Sequence, residues 1–272
     1  MNRNLEVREW QALAHLLGAT AGDTRALRAA QACLFRYSVQ QSQRYRSFGW
    51  HALPPELGVT GNTANRRFLQ WRESGQWFEF WDALVELRYG KAKPERSQKD
   101  LRRCNPLDAL ILELERAYRF FNHRFTGCQL PKNAVISVEV EVSPRGYLRP
   151  NYWNVGFKQE FQHHIVVSSV AVQHGGSESA LAVLLHEMAH LRNVVSGIMD
   201  TDLGTQYHRK DFEDSALLFG LQCGKRLART GYSSTTLTQR GRSAIALLQP
   251  VEEVFQWRSD SAPTLYKSFS DK

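Results

Sequence analysis

Residues 180–191, ALAVLLHEMAHL, constrain this chain more than any other stretch. The run is apolar except for His186, Glu187 and His190. On a helix, positions four apart lie one turn apart on the same face. His186 and His190 can therefore present two imidazoles to one ion, with Glu187 directly beside the first. Met188, Ala189 and Leu191 supply apolar filling, so the segment reads as a core-facing helix. With 9 His in 272 residues, and 17 Glu counted along the chain, H-E-x-x-H arises by chance in about 2% of such chains. The spacing needs support from the rest of the sequence.

The chemistry of the triplet suits zinc. Zinc favours imidazole nitrogen in a tetrahedral shell, and in catalytic sites it takes three protein ligands plus water. It lowers the pKa of that water to about 7, so a neighbouring carboxylate such as Glu187 can take the proton and deliver it to a leaving amine. A third ligand must come from elsewhere. His208 is the first candidate, in QYHRKDFEDSALL, with Asp211 and Glu213 as alternatives. His163, His164 and His174 lie upstream and read as surface histidines.

The composition, 42% hydrophobic and 23% charged, is that of a globular chain. No apolar run approaches the roughly 20 residues of a membrane-spanning helix. The first residues, MNRNLEVREWQ, have no apolar core of a secretory signal. Cys33, Cys104, Cys128 and Cys223 are widely spaced, with no C-x-x-C, which fits a reducing cytosol. A cytoplasmic protein with no membrane partner is expected. The net charge of +8 is uneven. Residues 1–105 hold 17 Lys+Arg against 10 Asp+Glu (+7), and residues 106–272 hold 18 against 17 (+1). The imbalance suggests an anionic partner for the front half.

Apolar residues at mixed three- and four-residue spacing predict helices over residues 5–17 and 24–45. Pro54-Pro55, Gly58 and Gly61 punctuate a turn, and Asn62 or Thr63 is placed to cap the next helix, 62–74. Trp77, Phe80, Trp81, Leu84 and Leu87 form the stripe of another. Residues 89–106, YGKAKPERSQKDLRRCNP, read as a basic linker. Leu107, Leu110, Ile111, Leu114, Ala117, Tyr118 and Phe121 then mark a helical face. Strict alternation in AVISVEVEV, residues 134–142, predicts a half-buried strand. HIVVSSVAV, 164–172, is a second strand candidate, followed by a turn at 174–176. Ser177 or Ser179 is placed to cap the motif helix. A last helix is expected from near His208, stopping at Cys223-Gly224, and the chain from Ser233 is weakly patterned.

Together these features resemble the SprT-like metallopeptidase domain, the family that includes the DNA-dependent protease Spartan. The resemblance covers residues 107–238. It rests on a leading helix ending in FFNHRF, a Leu-Pro turn, the alternating strand, Trp153, a strand before H-E-x-x-H, a Gly-Ile-x-Asp-Thr loop at 197–201, a Tyr-His-x-x-x-Phe step at 207–212, and GYSSTTLT at 231–238. It implies His186, His190 and His208 as ligands of one zinc ion and Glu187 as the catalytic glutamate. It also implies a zincin fold, in which an extended substrate pairs with a sheet edge. Two departures stand out. Arg209 follows the third ligand where Gly or Asn is common, and the paired cysteines of a C-terminal zinc ribbon are missing.

Residues 53–87 are similar to the N-terminal helix-turn-helix domain of some insertion-sequence transposases, through LPPELG, T-x-x-R-R-F-x-x-W and G-x-W. That likeness makes 62–74 a recognition helix, with Arg66, Arg67 and Arg72 meeting DNA and Phe68 and Trp71 in the core. The expected fold class is α+β. It comprises an all-α helix-turn-helix domain (1–90), a basic linker (91–105), a zincin-like metallopeptidase domain with a small mixed sheet (106–240) and a tail (241–272). The expected activity is zinc-dependent cleavage of proteins or peptides associated with DNA. The rival expectation is a non-enzymatic, transposon-associated DNA-binding protein with a structural or vestigial zinc site.

Overall fold

A computed structural model describes residues 5–38, 50, 53–93, 101–132, 134–140, 146–155, 160–202 and 207–257. Parts of the sequence expectations, at 39–45, 94–100, 141–142 and 258–272, lie outside the described residues. The architecture is α+β, with helices and, among the described residues, two small sheets. No helix among the described residues is long and apolar enough to cross a membrane.

Among the described residues, the front of the chain carries the α-helices α1 (Val7–Leu13), α2 (Thr24–Ser38), α3 (Gly61–Glu73) and α4 (Gln76–Tyr89). The cap of α3 is Thr60, whose side chain accepts from Thr63 N, so the helix starts earlier than Asn62 or Thr63 would set it. Trp10, Phe68, Trp71, Trp77, Phe80, Trp81 and Leu84 fill a shared core. The Trp71 ring nitrogen is satisfied by Leu17 O at 3.1 Å. Burying so many large rings is strongly favourable, each worth about 1.5–3 kcal/mol or more.

Helix α5 (Pro106–Thr126) starts at an Asn105 cap with proline in its first turn. It packs under a three-stranded sheet of β1 (Val135–Glu139), β2 (Gly146–Val155) and β3 (Glu160–Ser168). The order is β1-β3-β2, with β1 parallel and β2 antiparallel to β3. Pro150 is tolerated in β2 because that strand lies at the edge.

The long helix α6 (Ser169–Val195) carries the H-E-x-x-H motif. The predicted strand over 164–172 therefore ends early. Ser168 accepts from Val170 N at 3.2 Å and starts the helix there. The break expected at 174–176 is present as a kink: Gly176, at φ 56 and ψ −147, leaves the helical conformation, and two helical stretches of α6 meet there. Helix α7 (Lys210–Leu218) also ends before its expected stop, at Gly220 with φ +73. Beyond it, β4 (Leu221–Cys223) pairs with β5 (Thr235–Leu237), and α8 (Gln239–Leu248) follows.

Residues 241–257 are not a tail. Leu248 and Phe255 are buried in a second core, built from α5, the three-stranded sheet and α6. Arg116 donates to Leu248 O and Gln249 O at 3.1 and 3.0 Å, and Val251 N donates to Glu113 at 3.0 Å. The two cores are also joined. Leu218 of α7 sits in the front core. Trp81 donates its ring N–H to Phe125 O at 2.8 Å, and Asp82 accepts from both Arg124 and Arg240.

Candidate metal centre

His186 and His190 lie one turn apart on α6, and His208 approaches from the segment before α7. Their ring nitrogens come together at one point. His190 Nε2 is 3.2 Å from His186 Nε2 and 3.1 Å from His208 Nε2. Three imidazole nitrogens bound to zinc at about 2.05 Å and tetrahedral angles stand about 3.3 Å apart. The spacing thus fits a shared metal ion, and the three histidines form a site that could hold one. Asp211 is exposed and Glu213 pairs with Lys210 at 3.1 Å, so neither reaches the cluster.

The far nitrogens of His190 and His186 are held too. His190 Nδ1 lies 2.8 Å from Asp200 Oδ2, and His186 Nδ1 lies 3.0 Å from Thr235 Oγ1. Donating Nδ1–H to Asp200 leaves His190 Nε2 as the lone-pair nitrogen that a metal needs. Asp200 is itself fixed by Asn193 Nδ2 at 2.8 Å, and Ser215 ties Asn193 to Arg192. Burial by itself would lower the His190 pKa, but Asp200 and Glu187 raise it on balance. Burial, with the charges of His190 and His208, pushes His186 well down. Phe212 packs on all three rings, with centroids 4.6, 4.3 and 4.6 Å away.

His208 is placed by backbone. It bridges Thr201 on one side and Gly231 on the other. Its N–H donates to Thr230 O, and its carbonyl accepts from Tyr232 N, both at 3.1 Å. Gly231 has φ +62, and a Cβ there would stand 2.0 Å from His208 O. Asp200, Phe212, Gly231 and Thr235 were not picked out singly from the sequence. The loop, step and strand motifs that contain them were the available signal.

Glu187 is 3% exposed beside the cluster. Burial pushes its carboxyl up to about 7, with Asp200 adding to the shift and His190 opposing it. The first residue of β2 lies against it: a Cβ on Gly146 would be 3.3 Å from Glu187 Oε1 and would collide with Val183 and Val166 O. The edge strand of the sheet therefore begins at the carboxylate.

Elsewhere the sequence expectations meet tertiary contacts. His163 and His164 are buried in β3, not on the surface. Asn151 N donates to His163 Nδ1 at 3.3 Å, and His164 Nε2 lies 2.8 Å from Ser137 Oγ. His174 is exposed. On α3, Arg66 is exposed and Arg67 half-buried. Arg72 instead donates to Asp214 of α7 at 3.0 Å, where Arg36 also lies at 3.6 Å. The structure thus brings the three histidines together, with Glu187 buried next to His186 in sequence, and engages Arg72 with Asp214.

No family model, curated protein or solved structure matches the chain.

Proposed function

We propose that this protein is a zinc-dependent endopeptidase acting on DNA-associated proteins. The observation that carries the reading is the convergence of His186, His190 and His208 Nε2 beside a buried Glu187. The donor set, three imidazoles with the far nitrogens of His190 and His186 held by Asp200 and Thr235, suits zinc better than a hard cation. The resemblance of residues 107–238 to the SprT-like metallopeptidases points the same way and implies a zincin-like domain.

When bound, zinc supplies Lewis acidity and acidifies a coordinated water. Glu187 is the group placed to take a proton from water and to give it to the leaving amine. A purely structural site has no use for that carboxylate, which weighs against a vestigial centre. Because Gly146 has no side chain, the start of β2 packs close against Glu187, and a substrate strand laid along the edge of β2 would lead toward that carboxylate. The basic front half, with its likeness to helix-turn-helix domains, supplies the DNA contact through Arg66 and Arg67. Arg72 serves the contact with α7.

Glu187→Gln decides the mechanism. The variant should keep its zinc and lose cleavage of casein and histone; unchanged cleavage overturns the role of Glu187. Wild-type protein that holds zinc yet cuts neither substrate, with or without DNA, overturns the peptidase reading.

A further inference from the structure

Strand β2 carries a second, exposed feature at the end away from Glu187. Tyr152 is 50% exposed and Trp153 44%, with ring centroids 4.9 Å apart in an edge-to-face pair. Both rings rest on His164, which is only 3% exposed, at 5.6 and 5.7 Å. The Arg149 guanidinium stands 4.8 Å over the Tyr152 ring and 4.7 Å over Tyr147. It also donates to Tyr147 Oη at 2.7 Å. The rings are thus braced from beneath and from one side, while their outer faces stay open. Exposed aromatics on a sheet edge are an aggregation hazard, and proteins retain such apolar patches chiefly where they bind something.

The strand's register shows how they relate to the carboxylate. Gly146 to Arg149 pair in step with Val167 to His164, and the register then shifts before Trp153 meets Gln162. Pro150 has no N–H to offer. Asn151 adopts φ 50, and its N–H is spent on His163. An added strand can therefore follow β2 only from Gly146 to Arg149, about 10 Å at ~3.3 Å per residue. Beyond that point its side chains meet the two rings. An antiparallel partner, the more stable pairing, would run toward Glu187, so this part of it lies upstream of the scissile bond.

We infer that Tyr152 and Trp153 form a distal specificity subsite, taking a large apolar side chain about four to six residues upstream of the cleaved bond. Aromatic rings reward an apolar or aromatic partner. A lysine or arginine would give up hydration against the two rings, and the Arg149 charge beside them is already paired with Glu139 at 4.0 Å. The inference rests on the peptidase reading and names a substrate preference for the same site.

Cleavage profiling with peptide mixtures randomised over eight positions upstream of the cut tests it. Wild-type protein should favour Phe, Trp or Leu over Ala and disfavour Lys within that window. In Tyr152→Ala/Trp153→Ala, kcat/KM for the aromatic peptide should fall about tenfold, through KM, so that Phe and Ala become equivalent. Val140→Ser, at an exposed neighbouring strand end, should keep the wild-type profile. Zinc content and the unfolding midpoint, measured alongside, establish that the double variant is folded and loaded. An unchanged profile in a zinc-loaded double variant overturns the subsite, as does a wild-type profile flat across the window. Absence of any cleavage by the wild type instead sinks the peptidase reading beneath it.

Discussion

Gly231→Ala should damage the proposed zinc site without replacing any of its three histidines. Gly231 sits at φ +62, which costs an alanine roughly 1–2 kcal/mol. The larger effect is steric. The new Cβ would lie 2.0 Å from His208 O and 3.0 Å from His208 N. Since Cβ contacts below 3.0 Å are not tolerated, the two segments must part by at least about 1 Å. Zinc–nitrogen distances tolerate only about 0.2 Å, and the contacted atoms are the backbone that carries the third ligand. Zinc affinity should fall about 10–100-fold, the range seen when the support of a ligand is lost. Competition with a chromogenic chelator measures it. Gly75→Ala is the matched control: φ is +81 there, but nothing lies within 4 Å of the added carbon. That variant should lose stability alone and bind zinc as the wild type does. If Gly231→Ala and Gly75→Ala bind zinc equally well, His208 is not held by the Gly231 backbone in the way argued above.

Two further outcomes follow from the charge pairs. Arg72→Ala leaves Asp214 with Arg36 alone and should cost about 1–3 kcal/mol in urea unfolding, while DNA affinity stays near wild type. An Arg72→Ala variant that loses DNA binding as fully as Arg66→Ala would show that this guanidinium leaves Asp214 to reach DNA. Glu9 is buried against Arg88, with contacts of 2.7 Å; burial opposes its ionisation, but the Arg88 hydrogen bonds and charge hold its pKa below the ordinary 4.5. Its contribution is thus complete above pH 4.5 and is lost as pH falls through the lower folded value. Glu9→Gln should flatten the acid limb of the stability curve below that pH, and an unaltered slope would refute the assignment.

Local pattern made much of this molecule legible. The i, i+4 spacing put His186 and His190 on one face because both sit within one helix. Alternation placed Ile136 in the core for the same reason. What failed depended on partners far along the chain. Nothing near Arg72 announces Asp214, 142 residues away. The burial of His163 and His164 follows from the bulge in β2 and from Ser137, which composition does not reveal. Val170, Ala171 and Val172 favour a strand by type, yet the Ser168 cap starts a helix through them, which holds until the kink at Gly176. The C-terminal segment does carry a short helical stripe, Ala244, Ile245 and Leu248, but what anchors it, the polar Glu113–Arg116 pair, lies more than 100 residues back along the chain and leaves no local pattern.

The Asp82 junction bears on how the chain is made. Its carboxylate waits for Arg124 and Arg240, and the front core waits for Leu218. During synthesis the first 90 residues emerge long before those partners exist. Domains commonly fold in order as they leave the ribosome. Here the amino-terminal helices should stay incompletely closed until α7 and α8 arrive. Nascent chains halted before residue 218 should accordingly be cut by protease within those helices, and chains carried past residue 240 should resist it.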